Sequence, residues 1–200
     1  MLRAVMHGIG TALRPLRPGL AQLAGFPYRG TAPLEVSSES FSGIIPVRFT
    51  ADGTGVSPAL SWAGLPPRTR SVVVVVQDAD IPAPRPLTHL ILYGIAPTLW
   101  GLAEGAVPRR MRGTSPWGYR CGRNGVGLTG WLPPSPPPGH GPHRYAFQVF
   151  ALDGRPKFNM PPGRGADAGA GGSCAGVWPG DWDVRAALER FRLNHKRQHD

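Results

Sequence analysis

A chain of 200 residues, 41% of them hydrophobic, is long enough for one domain with its own core. Its 28 glycines and 24 prolines demand many turns and argue against long helices, and its two cysteines exclude a disulfide framework as the main source of stability. The formal net charge of +10 raises a polynucleotide partner, but there is no RNA-binding aromatic signature, helix-turn-helix pattern or zinc-finger spacing, so nucleic acid is disfavoured.

The positive charge sits in three places: Arg3, Arg14, Arg17 and Arg29; the stretch Arg109 to Arg123; and Arg185 to Arg197. No Asp or Glu lies between Glu104 and Asp153, and such a basic middle suits a small anion as well as a polynucleotide. No apolar run approaches the roughly 20 residues that span a bilayer. Residues 1–33 are Arg-bearing, acid-free and interrupted by Pro15, Pro18 and Pro27. They read as a basic extension, poorly ordered or lying on the surface of a cytoplasmic protein, with organellar targeting left open.

A β domain is expected over residues 34–158. Leu34 to Val36 and Ile44 to Phe49 are short β-type runs, Asp52-Gly53 is a turn, and Leu60 and Trp62 alternate with Ser61. Five successive valines, Val72 to Val76, are too β-branched for a comfortable helix and predict a strand buried on both faces. It exits into Gln77-Asp-Ala-Asp-Ile-Pro82, where Asp78 and Asp80 share a side if the chain stays extended, or simply cap the turn before the prolines. The next strand, Thr88 to Ile95, has His89 at its entrance. If the two strands are neighbours, Asp78 and His89 reach one rim.

Gly125-Val-Gly-Leu-Thr-Gly130 has dinucleotide-binding spacing, but Trp131-Leu-Pro-Pro follows it and no helix can start there to receive a pyrophosphate. Five prolines in the six positions 133–138 form a stiff loop, Gly139 and Gly141 turn the backbone beside His140, and the loop delivers His143, Arg144 and Tyr145 to a strand running to Leu152. Residues 159–180 read as a Gly/Ala/Pro-rich flexible segment. Residues 181–200 are expected to form a basic helix or tail, with Asp181 or Asp183 as N-cap and Val184, Leu188 and Phe191 on one face.

For chemistry, the residues leave three readings open. His89, His143, the Tyr145 hydroxyl and loop N–H groups near Ser135 and Gly139 are donors for a small anion, with Asp78 orienting a histidine. A hydrolase or metal-assisted enzyme would use Asp78, His89 and His143, but the sequence offers no committed nucleophile: no Gly-x-Ser-x-Gly elbow is present, and Cys174 lacks the context of a reactive thiol. A basic nucleic-acid-associated protein is the third. No cofactor is called for, and whether Cys121 and Cys174 pair is open.

Ser57-Pro-Ala-Leu-Ser-Trp62, Gln77-Asp-Ala-Asp-Ile-Pro82, His89 to Pro97, Asn124 to Trp131 and Pro136 to Tyr145 together resemble the phosphatidylethanolamine-binding protein family, in its bacterial Raf-kinase-inhibitor-like branch. The resemblance implies an all-β fold, an antiparallel β-sandwich, here with a peripheral C-terminal helix. It also implies a small pocket for phosphate, a phosphorylated head group or carboxylate, lined by Asp78, Asp80, His89, Ser135, His143 and Tyr145. The family implies binding or regulation of a protein partner rather than catalysis, and a homodimer is compatible with it. Three departures stand out: Ala79 in place of the family's Pro, the N-terminal extension, and a closing segment unrecognisable after Lys157.

Overall fold

The computed structural model describes residues 2–23 and 34–156, and the backbone of residues 184–193. Helix α1 (Leu2–Ala12) and a short 3-10 turn (Leu20–Gln22) precede eight strands: β1 (Glu35–Ser37), β2 (Leu60–Ala63), β3 (Ser71–Asp78), β4 (Leu87–Ile95), β5 (Gly101–Leu102), β6 (Arg120–Cys121), β7 (His143–Leu152) and β8 (Val184–Leu193). They pair antiparallel into a three-stranded sheet, β1-β2-β5, and a five-stranded sheet, β6-β4-β3-β7-β8.

One core joins the two sheets. Val36, Trp62 and Leu102 from the small sheet meet Val74, Leu92 and Phe147 from the large one. Strand β3 is central and every residue of it is buried, so both faces of the valine run are covered. Burying each valine contributes about 1.5–3 kcal/mol relative to exposure. On the face away from the small sheet, Leu20 and Leu23 pack on Ala79 and Ala146, so the N-terminal segment covers part of that side.

The expected C-terminal helix is corrected here: Val184–Leu193 is a strand whose ten residues pair with β7, from Leu152↔Val184 to His143↔Leu193. Its Ala, Leu, Glu and Arg content favours helix in isolation. The long edge of β7, however, offers a row of N–H and C=O groups that a strand satisfies and a helix leaves open. The Gly/Ala/Pro-rich segment 159–180, Cys174, and the proposed caps Asp181 and Asp183 lie outside the described residues.

Candidate functional site

The strand order brings the predicted residues to one end of the core. Asp78 closes β3 opposite Tyr145 of β7 and Leu87 of β4, and His89 follows two residues into β4. His143 opens β7 two positions before Tyr145, so the two side chains share the face that carries Phe147 and Val149 into the core. Asp78, Asp80, His89, His143 and Tyr145 are all buried, whereas Ser135 is exposed on the proline loop.

Asp78 serves its local turn and the site together. One carboxylate oxygen accepts the Asp80 N–H at 2.8 Å, and the other lies 2.7 Å from His143 Nδ1. His143 Nε2 is 2.8 Å from His140 Nδ1, and His140 Nε2 is 2.9 Å from the Leu13 carbonyl. Each contact requires one proton. A carbonyl only accepts, so His140 donates from Nε2 and its Nδ1 must receive a proton from His143. His143 therefore donates from Nε2, and its Nδ1 shares one further proton with the Asp78 carboxyl, so the pair as a whole is neutral. Burial holds the His140 pKa below its ordinary value, reinforced by the charges of His143 and Arg17 against the pull of the Leu13 carbonyl, which keeps His140 the neutral member of the pair.

Asp80 is held differently. Its carboxylate accepts from the Arg144 backbone N–H at 2.8 Å and from the Arg144 guanidinium at 2.7 and 2.6 Å, and Arg17 stands 3.4 Å away. Burial pushes this carboxyl up, but the Arg144 hydrogen bonds and the charges of Arg144 and Arg17 outweigh it and hold it below its ordinary range.

His89 completes the corner. Its Nδ1 donates to the Leu132 carbonyl at 2.7 Å, and burial lowers its pKa against the opposing pull of Asp78, so the ring is neutral and Nε2 is a bare acceptor. That Nε2 is buried without a partner, as are the Tyr145 hydroxyl and the Trp131 indole nitrogen. The three rings cluster: His89 lies 5.2 Å from Tyr145, edge-on, and 6.4 Å from Trp131. Burial, reinforced by nearby Asp78, raises the Tyr145 pKa, so its hydroxyl remains a donor.

Three members were not among the predicted site residues. His140 sits between Gly139 and Gly141, both at positive φ (84° and 101°), and a histidine flanked by two glycines was the available signal. Arg144 was visible as a cation next to His143, but its bidentate hold on Asp80 depends on strand pairing. Trp131 carried no local mark.

Among the described residues, no group of three or more His, Cys, Asp or Glu is arranged to hold a metal ion. The Cys121 thiol, pushed up to about 12 by burial, donates to Met111 Sδ at 3.5 Å and is no nucleophile.

Two antiparallel sheets over one core, with paired buried carboxylates and histidines at one rim, define a class of mostly-β protein with a closed polar corner. The chain matches the family profile described as phosphatidylethanolamine-binding protein over residues 37–187, and it belongs to that family. A UPF0098 protein of Aquifex aeolicus is 38% identical over 138 residues, 67% of this chain and 76% of the relative. Another UPF0098 protein, from Methanothermobacter thermautotrophicus, is 40% identical over 111 residues, 56% of this chain and 70% of the relative. The crystal structure of Escherichia coli YbcL, a member of the mammalian PEBP family, aligns with a TM-score of 0.67 at 26% identity, covering 82% of this chain and 100% of that one. No described helix is long and apolar enough to cross a membrane.

Proposed function

We propose that this protein is a non-catalytic binder of a small anionic ligand, a phosphate, phosphorylated head group or carboxylate, seated against His89, Tyr145 and Trp131. The observation that carries the reading is the cluster of three buried polar atoms without partners: two donors, Tyr145 O–H and Trp131 N–H, and one acceptor, His89 Nε2. An unmatched buried polar group costs about 1–3 kcal/mol, and a ligand oxygen between the two donors would recover part of that cost. A phosphate monoester fits best, because its ionised oxygens accept from Tyr145 and Trp131 while a remaining P–OH, or a proton drawn to the ring, satisfies His89. The family description names phosphatidylethanolamine, whose head group carries a phosphate as a diester, with ionised oxygens for the two donors but no P–OH for His89. Regulation of a protein partner would act through the same rim.

Thermal unfolding with inorganic phosphate and with phosphoethanolamine tests this. A ligand at 100 times its Kd stabilises the native state by about 2.7 kcal/mol, a melting shift of several degrees. Tyr145→Phe removes one buried hydroxyl, beside Asp78, and leaves the ring packing in place, so the fold is expected to persist and most of the shift to disappear. If saturating phosphate and phosphoethanolamine move neither protein, the ligand assignment is wrong.

A further inference from the structure

One wall of the site comes from the start of the chain. Arg14 Nε donates to the Gly139 carbonyl at 2.7 Å, and Arg17 donates to the Pro142 and His140 carbonyls at 2.9 Å each while its guanidinium faces Asp80. The Gly19 N–H donates to the Ala79 carbonyl at 2.9 Å. The fit is tight at backbone level. A Cβ at Gly10 would collide with the Pro138 carbonyl oxygen, and one at Gly139 with the His7 carbonyl oxygen.

The charges around the site can be paired off. Asp78 shares a proton with His143 in a pair that is neutral as a whole, and Asp80 is gripped by Arg144, so these two pairs cancel. The other histidines of the corner, His89 and His140, are neutral. Arg17 is a further cation on Asp80, with 29% of its side chain exposed against none of Asp80. Counting the groups that contact Asp78 or Asp80, the site is neutral without Arg17 and holds one positive charge in excess with it, while Arg14 contacts only the Gly139 carbonyl and lies outside that count.

We propose that Arg17, a residue of the N-terminal segment, is a specificity-determining residue of the anion site: it supplies the positive excess that favours an anion, and it locks the His140 loop against Asp80. The proposal rests on the anion-binding reading above. A guanidinium suits both tasks because its planar fork reaches two carbonyls and a carboxylate at once. Lysine keeps the charge without the fork, and glutamine keeps a donor without the charge.

Titration calorimetry with inorganic phosphate, at fixed ionic strength, separates these roles in the wild type, Arg17→Lys and Arg17→Gln, with thermal unfolding run in parallel. Loss of one charge within about 10 Å in a medium of effective dielectric near 20 weakens anion binding on the order of tenfold. Arg17→Gln is expected to show that loss, together with a shallower salt dependence, and Arg17→Lys to stay within about threefold of the wild type. Equal losses in both variants would reduce Arg17 to a structural clamp and overturn the proposal, as would unchanged binding in Arg17→Gln. No phosphate binding by the wild type would instead bring down the anion reading itself, and the Arg17 assignment with it.

Discussion

Asp78 and Asp80 stand two residues apart and are neutralised by opposite kinds of partner. Asp78 is paired through a relay of two histidines that ends on a backbone carbonyl, whereas Asp80 is gripped by two arginines that never lose their protons. The first half contains His140, whose pKa burial holds below the ordinary value, whereas the arginines of the second keep their protons throughout. The difference shows how one short turn can carry both a titratable wall and a permanently charged one.

The largest expected effect comes from breaking the permanent half. Asp80→Ala leaves the Arg144 and Arg17 charges facing each other without a carboxylate, and stability measured by urea unfolding is expected to fall by about 3–5 kcal/mol. A loss below about 1 kcal/mol would mean that solvent already carries those charges. Asp78→Asn keeps the shape of the turn but removes the carboxyl that pairs with His143. Loss of this hydrogen bond is expected to cost about 1.5–3 kcal/mol, and histidine nitrogen NMR should report the changed partner at His143 Nδ1.

Acidification sharpens the contrast further. His89 and His140 are held below the ordinary value of 6.5 chiefly by burial, so the unfolded chain binds protons that the folded one refuses. Their contribution is full above pH 6.5 and is lost as the pH falls below it, at no more than about 1.4 kcal/mol per pH unit for each proton. Asp80, depressed below 3.8, contributes stability that is present above that value and lost only as the pH falls through its lower folded pKa. Urea midpoints between pH 8 and pH 5 are therefore expected to drop in the wild type, and to drop less in His89→Gln. A flat profile would remove the titratable half of the comparison. The smallest effect is expected outside both halves: Trp117, 58% exposed and stacked on Tyr119, should tolerate Trp117→Ser within about 0.5 kcal/mol.

Much of the frame was legible in the chain. Five valines in a row have few ways to be satisfied other than a strand covered on both sides, and the exit of one strand facing the entrance of the next placed Asp78 and His89 at one rim. Local pattern stopped short where partners lie far apart in sequence. Arg17 looks like any solvated arginine until the loop 139–142 is placed over it, and His140 looks like a turn residue until Leu13 supplies its acceptor. The C-terminal segment failed for the opposite reason. Its composition favours helix, but the open edge of β7 decided its conformation, and no local feature of Val184–Leu193 reports that edge.

The separation between Arg17 and its acceptors also sets an order of events in folding. Arg17 is 123 residues from His140 and 125 from Pro142. During synthesis the beginning of the chain emerges long before those carbonyls exist, and contacts of such separation are the slowest to close. Arg17 can therefore be seated only once the loop 139–142 has been made, after β1 to β6 and before β8.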